Sequence, residues 1–340
     1  MRKLKIEQPI IINKLENLLK RCPSSHSKRS QIIESLRKYR SGYNGEQSLA
    51  YYYRYLPKEE VSFYPGLRIL HDGYYFQMDL LVVTPHFLLI IEIKNHAGHL
   101  YFDDKVNQMI RTFDGHRVAF EDPVLQVNRQ RYHLIQLMQQ HKFPAIPIET
   151  LVVVANSSTI VEFSPTYKEA MQKVIKSPQL QFKFMEFQQR HKNNILENRT
   201  IKKLVKQLFK LHDIYNPDVC ELFQIDKTEL ITGVLCSSCI LPATMYYKGA
   251  NWRCTNCSHT SKTAYIEALI DYAFLISPTI TNRECKKFLH MPSTSVTTHL
   301  LKSLHLPYIG STKSRSYSLL PLIEAIEKDS PRKRAAFNLH

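Results

Sequence analysis

An aspartate and a glutamate-lysine pair lie in the most apolar part of this sequence. Asp79 is in the segment FQMDLLVV, and thirteen residues later Glu92 and Lys94 end the segment LLIIEIK. Side chains two residues apart on a β-strand point to the same face, so Glu92 and Lys94 share one face. Burying an unpaired carboxylate or ammonium costs several kcal/mol, and charges at the end of a buried strand therefore need a partner or a function.

The spacing of these residues predicts a site for a divalent cation. A short turn at Thr84-Pro85 between two strands brings the carboxylates of Asp79 and Glu92 side by side, where they repel each other. Mg²⁺ or Mn²⁺ relieves the repulsion, because each binds one or two carboxylates and fills its other positions with water and phosphate oxygens. Lys94 then orients or deprotonates the attacking water and stabilises charge on a phosphate. The pattern is typical of metal-assisted phosphodiester hydrolysis; the alternative is a solvated Glu92-Lys94 ion pair.

The segments around these residues resemble the nuclease-related domain (NERD) family of the restriction-endonuclease-like superfamily, whose core is Asp…(Asp/Glu)-x-Lys. They follow the family's order over roughly residues 40 to 160: GYNGEQSL, QMDLLVV, IEIKNHAG and DPVLQVNRQ. The resemblance implies a restriction-endonuclease-like α/β core, in which a central mixed sheet is flanked by helices. It also implies a nuclease that depends on Mg²⁺ or Mn²⁺.

The resemblance also assigns roles to individual residues. It implies that Glu46 is the acidic residue on the leading helix. Asp79, Glu92 and Lys94 form the metal and water site, and Gln126 is the polar residue on the following helix. We expect the main-chain carbonyl of Ile93 to bind the metal with the two carboxylates. Two residues have simpler alternatives: Glu46 as a first-turn glutamate that satisfies a helix dipole, and Gln126 as a cap or surface group. Five residues fit the family pattern more loosely: Gln77, Asn95, Gly98, Gln108 and Arg111.

Four of the seven cysteines form a second motif. They are arranged as CSSC and CTNC, two C-x2-C pairs separated by fourteen residues: Cys236, Cys239, Cys254 and Cys257. This spacing is typical of a four-thiolate zinc site, and the intervening segment suits a hairpin with Gly249 at its tip. Four thiolates complete the coordination sphere, so we predict a structural zinc ribbon. His259 is a spare ligand candidate, and a redox role for CSSC is the weaker alternative.

The segment after the cysteines predicts two short helices that meet at a tight turn. Thr281 with Glu284 forms a capping box, and Ser293 can cap the second helix. This is helix-turn-helix geometry, and a following hairpin would complete a winged helix. The residues expected to face nucleic acid are Ser295, Thr297, Thr298, His299 and Lys302 on the second helix and Lys313 and Arg315 in the wing. The alternative is a helical module that binds protein or nothing.

The elements that must position these residues divide the chain into five parts. We expect N-terminal helices over 1–40, the nuclease-related domain over 41–215, the zinc ribbon over 230–261, a winged-helix-like domain over 262–325 and a basic tail over 326–340. Within the second part, a turn at Asn44-Gly45 would precede a helix carrying Glu46 in its first turn. A four-stranded β-meander from residue 61, a helix over 122–140 and a strand over 148–156 would follow.

Composition agrees with a nucleic-acid partner. The formal charge is +16 from 46 Lys and Arg against 30 Asp and Glu, and the pI is near 9.4. Such a balance favours a polyanionic partner. No run approaches the roughly 18 apolar residues of a membrane span, and the first residues lack a signal peptide's apolar centre, so we expect a cytoplasmic protein.

Together these features predict a metal-dependent nuclease that hydrolyses phosphodiester bonds of DNA, in DNA processing, repair or defence against foreign DNA. Its cofactors would be catalytic Mg²⁺ or Mn²⁺ and structural Zn²⁺. The first alternative is a non-catalytic nucleic-acid-binding or regulatory protein built on a nuclease fold. The second is a transcription regulator led by the winged helix.

Overall fold

The computed structural model describes residues 6–57, 61–311 and 314–329. These residues form two compact units, the first drawn from 6–9 and 38–215 and the second from 10–37 and 216–329. The helices are α1 (Ile10–Arg21), α2 (Arg29–Leu49), α3 (Pro123–Gln140), α4 (Lys168–Lys173), α5 (Leu180–Arg190), α6 (Asn198–Leu211), α7 (Val219–Leu222), α8 (Ala264–Leu275), α9 (Asn282–Leu289), α10 (Thr294–Ser303) and α11 (Leu320–Asp329). Short 3-10 helices cover Tyr52–Tyr55, Ser177–Gln179 and Lys227–Glu229.

The strands of the first unit are β1 (Ser62–His71), β2 (Tyr74–Val83), β3 (Leu88–Lys94), β4 (His99–Asp103), β5 (Gln108–Phe113), β6 (His116–Glu121), β7 (Ile148–Val154), β8 (Ile160–Phe163) and β9 (Val174–Lys176). Those of the second unit are β10 (Val234–Leu235), β11 (Thr244–Lys248), β12 (Asn251–Cys254), β13 (Thr260–Ser261), β14 (Thr279–Thr281), β15 (Tyr308–Ile309) and β16 (Ser316–Ser318).

The centre of the first unit is a mixed five-stranded sheet in the order β1-β2-β3-β7-β9. The pairs β1-β2 and β2-β3 are antiparallel, whereas β3-β7 and β7-β9 are parallel. A strand paired on both sides and covered on both faces is apolar throughout, which explains LLIIEI in β3. One face packs on α5 and the Tyr52–Tyr55 helix, and the other packs on α3 and α6. A mixed sheet flanked by helices is the fold class that the sequence predicts.

The predicted four-stranded meander is wrong at its last strand. After β3 the chain leaves the central sheet, and β4 joins a second sheet in the order β6-β5-β4-β8. Gly98 has a φ of +101°, and a Cβ there would lie 2.4 Å from the carbonyl oxygen of Thr112. Only glycine tolerates both the conformation and the contact, so Gly98 allows the chain to change sheets.

The predicted turn at Asn44-Gly45 is also wrong, because α2 continues through both residues to Leu49. A Cβ at Gly45 would lie 2.7 Å from the Cβ of Asn95, just beyond β3. Glycine therefore lets the helix approach the end of that strand closely. Glu46 lies in the last turn of α2 and not in the first turn of a new helix.

The second unit contains a four-stranded antiparallel sheet, β10-β11-β12-β13, and a helical module. In the module the elements follow the order α8, β14, α9, α10, β15 and β16, and its strands pair as β14-β16-β15. One hydrophobic core joins sheet and helices, and Trp252 of β12 lies inside it with 1% of its surface exposed. Along the described chain, no helix combines the length and apolar character needed to cross a membrane.

Candidate active site and cysteine cluster

The acidic site forms where β2 and β3 separate. Their ladder ends at the pair Leu80 and Ile91, and beyond it the Asp79 carboxylate accepts a hydrogen bond of 2.9 Å from the backbone N–H of Ile93. On the other side of β2, Gly66 has a φ of +62° at the position facing Asp79. A residue's N–H and C=O point to the same side of a strand, so the Ile93 carbonyl faces the same gap.

Glu92 and Lys94 lie on the face of β3 that α3 covers. The Lys94 ammonium donates to a carboxylate oxygen of Glu92 at 2.7 Å and to the side-chain oxygen of Gln126 at 3.0 Å. The other Glu92 oxygen accepts a 2.9 Å hydrogen bond from Gln130. The Glu92 side chain is 4% exposed and that of Lys94 19% exposed, so the lysine lies between the buried carboxylate and solvent.

Contacts at the end of β3 bring Glu46 to this site. The Ser41 hydroxyl donates to the Asn95 carbonyl at 3.0 Å, and the Asn95 amide donates to the Ser41 carbonyl at 2.9 Å. With the close approach at Gly45, this reciprocal pair holds α2 against the strand end. Burial, followed by the charge of Glu92, raises the pKa of Glu46 to about 7.

The charge of the site is dominated by carboxylates. Burial and the neighbouring charge of Glu92 raise the pKa of Asp79 well above its ordinary value, although the hydrogen bond from Ile93 opposes this shift. The charge of Glu46 raises the pKa of Asp79 further. Lys94 lowers this pKa, and its effect is the smallest of those named. Three carboxylates thus act on one another beside a single ammonium. The structure brings together all five residues that the sequence assigned to the site.

The residues fit a hydrated divalent cation. Two carboxylates and a main-chain carbonyl are hard oxygen donors of the kind that Mg²⁺ and Mn²⁺ prefer, and the unbalanced negative charge favours a cation. Among the described residues the three carboxylates do not converge into a compact cluster, since only the cysteines bring three or more ligand atoms within 4.8 Å of one another. A wider site suits Mg²⁺, which keeps several waters.

Most of the residues that match the family pattern loosely have structural contacts. Asn95 holds α2, Gly98 allows the change of sheet, and the Arg111 guanidinium donates to the Ala97 carbonyl at 2.8 Å. The carbonyl oxygen of Gln77 accepts from Gln130 at 2.7 Å, and Gln77 itself is exposed. Gln108 is exposed.

Gln130 itself is a site residue that the sequence reasoning missed. It is 3% exposed and bridges Glu92 to the main chain of β2. Its signal was present in the sequence, because Gln126 and Gln130 are four residues apart and therefore lie on one face of α3.

The four cysteines are arranged as a tetrahedral metal site requires. The Sγ atoms of Cys236 and Cys257 are 3.7 Å apart, as are those of Cys239 and Cys254. A zinc-sulfur bond of about 2.3 Å in a tetrahedron places sulfurs about 3.8 Å apart, far beyond the length of a disulfide. Backbone N–H groups of Cys257 and Asn256 donate to the sulfur of Cys254 and lower its pKa, whereas burial raises the pKa of the neighbouring Cys236. These donors fit Zn²⁺.

The hairpin between the cysteine pairs has the predicted form. Lys248 pairs with Asn251, and Gly249 and Ala250 form a two-residue tip with φ of +58° and +62°. Positive φ at both central residues is the turn that matches strand twist. His259 is exposed and its backbone carbonyl accepts from the N–H of Cys254.

The predicted helix caps of the helical module are confirmed, but one residue that was expected to face outward is buried. Thr281 and Glu284 form the capping box of α9, and Ser293 accepts from the N–H of Val296 at the start of α10. Thr297 was expected to face outward, which is wrong: it is fully buried, and its hydroxyl donates to the Ser293 carbonyl at 2.8 Å.

The remaining predicted contact residues differ in their surroundings. Ser295, His299 and Lys302 are exposed on α10, whereas the Thr298 hydroxyl donates to the Thr294 carbonyl and accepts from Asn282. Arg315 is half-buried and stacks on Tyr308, with 4.3 Å from its guanidinium carbon to the ring centre. Lys313 and nearly all of the predicted basic tail lie outside the described residues.

Comparison with known protein families supports the assignment made from the site. The mixed sheet flanked by helices and the acidic residues at β2 and β3 are those expected of a nuclease-related domain. Residues 41–155, about a third of the chain, match the family model described as the nuclease-related domain, and this stretch contains Glu46, Asp79, Glu92, Lys94 and Gln126. The resemblance seen in the sequence is thereby confirmed. Searches of curated proteins and of solved structures returned no match.

Proposed function

We propose that this protein is a Mg²⁺- or Mn²⁺-dependent nuclease that hydrolyses phosphodiester bonds of DNA. The observation that carries the proposal is the position of Asp79, Glu92 and Lys94 where β2 and β3 separate, with Lys94 hydrogen-bonded to both Glu92 and Gln126. A solvated ion pair at a strand end does not explain a buried glutamate held on its other oxygen by Gln130.

The metal would be held by the carboxylates of Asp79 and Glu92 and by the Ile93 carbonyl. When bound, the ion supplies positive charge that polarises a phosphate oxygen and acidifies water. The hydrogen bond from Ile93 fixes one carboxylate, and Gln130 fixes the other. Because both carboxylates are already held in position, they need little rearrangement when charge builds in the transition state.

Lys94 is the residue we assign to the water and the phosphate. Its ammonium is held from two sides, by Glu92 and Gln126, so its direction is set before substrate arrives. From that position it orients the attacking water and donates to the phosphate oxygen on which charge builds. Glu46 adds a carboxylate at the edge of the site, where it can accept a hydrogen bond from water.

The second unit would hold the nucleic acid in this proposal. Structural zinc would stabilise the sheet β10-β11-β12-β13, which we call the cysteine sheet. The order of elements from α8 to β16 is the order expected of a winged helix. In a helix-turn-helix the second helix enters the major groove. Ser295, His299 and Lys302 are exposed on that helix and remain our predicted contacts.

The experiment that tests the function is cleavage of linear, circular and single-stranded DNA in Mg²⁺ or Mn²⁺. We expect Lys94→Ala to slow cleavage by about 10²- to 10⁴-fold, the range for loss of a group that handles a proton. Lys105→Ala, an exposed lysine in the β4-β5 turn, is the matched control and should cleave normally.

Calorimetric titration with Mg²⁺ separates the enzyme from a binding platform. We expect the heat of binding and DNA cleavage to be lost together in Asp79→Ala. Tight DNA binding by the wild type with no cleavage in either metal would instead show a non-catalytic protein. Sequence-specific footprints that survive deletion of residues 1–215 would show a transcription regulator.

A further inference from the structure

Helix α6 of the first unit carries a basic face that the proposed active site does not use. Its fourteen residues, NRTIKKLVKQLFKL, include five cations and no acid. Leu204 and Leu208 are buried against the central sheet, so the cations have to face outward. All five are exposed: Arg199, Lys202, Lys203, Lys206 and Lys210.

The charges of this face are not neutralised within the part of the chain that the structure describes. None of the five cations forms an ion pair with a described residue. An isolated helix with so many like charges a turn apart is destabilised by their repulsion. A basic cluster that the fold keeps exposed at such a cost is complementary to a polyanion.

A cavity of about 650 Å³ lies along this helix. Three lysines of α6 line it, and so does Lys142, from just beyond the end of α3. Phe143 and Pro144 are also part of its lining, and the Gln207 amide lies 3.3 Å from a ring nitrogen of His141. The result is a concave surface lined by four lysines from two segments of the chain.

The concave surface lies on the same face of the central sheet as the acidic site. Helix α3 connects them: Gln126 near its start contacts Lys94, and His141 just past its end lines the cavity. Fifteen residues of helix at a rise of about 1.5 Å separate those two positions by roughly 22 Å. A duplex that rises about 3.4 Å per base pair covers that distance in about six base pairs.

We propose that α6 and Lys142 bind the backbone phosphates of a nucleic-acid duplex whose scissile bond lies at the acidic site. The substrate class rests on the proposed function, whereas the polyanion-binding face rests on α6 itself. Cations three or four residues apart on a helix are about 5–6 Å apart, so that several phosphates of one strand are contacted together. Contacts to backbone phosphates carry no direct sequence information, so we expect the contribution of this face to be independent of sequence.

The test measures binding of the full-length protein to a labelled DNA duplex of about 20 base pairs, longer than the roughly six that separate the surfaces. Fluorescence anisotropy is recorded over a series of salt concentrations without Mg²⁺ or Mn²⁺. We expect Lys203→Gln/Lys210→Gln to weaken binding and to make the plot of log affinity against log salt less steep by about 1.8, since each lost phosphate contact removes about 0.9.

The control variant is Lys105→Gln/Arg117→Gln, which removes two exposed charges from the second sheet of the same unit. It alters net charge equally and should leave the slope near that of the wild type. Equal slopes for the two double variants would overturn the proposal. A matching RNA duplex shows which nucleic acid is preferred, and a slope change with either supports phosphate binding.

A second arm uses vesicles that contain an anionic phospholipid. Loss of vesicle binding in Lys203→Gln/Lys210→Gln, with an unchanged slope for both duplexes, would assign the face to membranes and overturn the proposal. Because binding is measured without cleavage, the result is separate from the nuclease assignment. If the slope of log affinity against log salt changes but the protein cleaves no substrate, the phosphate-binding face is supported and the hydrolytic function is wrong.

Discussion

At the scale of single residues, the site shows a conflict between stability and function in its three carboxylates. Glu46 has a pKa near 7, mainly because it is buried and secondarily because it faces Glu92. At pH values between the ordinary pKa of a carboxyl group and 7, the folded state binds more protons than the unfolded state does. The contribution of Glu46 to stability is therefore present at low pH and is lost as pH rises towards 7.

We accordingly predict that Glu46→Gln stabilises the protein at pH 8 and has little effect near pH 4.5. Glutamine keeps the shape but not the charge, so the free energy of unfolding at pH 8 should rise by about 1–2 kcal/mol, allowing for partial exposure of the group. Urea unfolding followed by circular dichroism at the two pH values, without added divalent metal, measures this. The same gain at both pH values would show that the charge is not the cause.

The sequence was informative about residues where chemistry limits the choices. Asp79, Glu92 and Lys94 are identifiable because charged residues are rare in buried strands, and their hydrogen bonds agree with that reasoning. Thr297 was placed wrongly because a threonine hydroxyl can bond to the carbonyl four residues before it and be buried. The pattern of side chains in the sequence does not reveal whether a threonine is buried in this way or exposed.

At the scale of elements, two glycines of α2 have opposite surroundings. A Cβ at Gly42 would meet nothing within 4 Å, whereas one at Gly45 would lie 2.7 Å from Asn95. Alanine favours a helix over glycine by about 1 kcal/mol. We predict that Gly42→Ala stabilises the protein by roughly 0.5–1 kcal/mol, because only helix propensity changes there.

Gly45→Ala should have the opposite effect. The new methyl group forces α2 away from the end of β3, which costs about 1–3 kcal/mol and outweighs the gain in propensity. Because α2 positions Glu46, cleavage should also slow. Thermal unfolding and cleavage rates of the two variants side by side test this, and a stable, active Gly45→Ala would contradict the close packing.

The buried ion pair of the second unit gives a prediction for helix α1. The Arg21 guanidinium donates to Asp271 of α8 at 2.8 Å and to the carbonyls of Ile231 and Gly233 at 2.9 and 2.7 Å. Removing one partner of a buried pair typically costs about 3–5 kcal/mol, and we expect that loss for Arg21→Met. Lys20→Met is the control: Lys20 also pairs with Asp271, but its side chain is 34% exposed, so we expect a loss under about 1 kcal/mol.

Elements were predictable where the signal is local. The capping box of α9 and the hairpin tip at Gly249 follow from a few neighbouring residues. The β5-β6 hairpin was missed, although Asp114-Gly115 at its tip, with φ of +50° and +74°, is a strong turn signal. The continuation of α2 through Gly45 was not predictable, because it depends on contact with Asn95, fifty residues away.

At the scale of the whole molecule, the compact units do not follow the order of the chain. Residues 10–37 group with residues 216–329, and one pair that joins them, Arg21 and Asp271, is separated by 250 residues. Composition and charge predict a partner for the molecule but carry no information on such pairings. The zinc motif is visible in the sequence, yet its sharing of one core with the helical module is a property of the fold.

Because of that shared core, we predict that Zn²⁺ held by the four cysteines would support the helical module as well as the sheet β10-β11-β12-β13. Cys236 and Cys254 belong to the same hydrophobic cluster as Leu269 of α8 and Leu301 of α10. Zinc-bound thiolates contribute folding free energy directly, so removing the ion should loosen the helical module with the sheet. The first unit has separate clusters on the two faces of its central sheet and should keep its structure.

Trp252 is the only tryptophan of the chain, so its fluorescence reports on the second unit alone. We predict that a zinc chelator shifts its emission to the red, and that hydrogen exchange accelerates in α8 to α10 while β2 and β3 stay protected. Adding Zn²⁺ back should reverse both changes, whereas Mg²⁺ should not. If Trp252 emission were unchanged after complete removal of zinc, the ion would be dispensable for this core, and the reduced thiols and the apolar contacts would be sufficient to hold the module together.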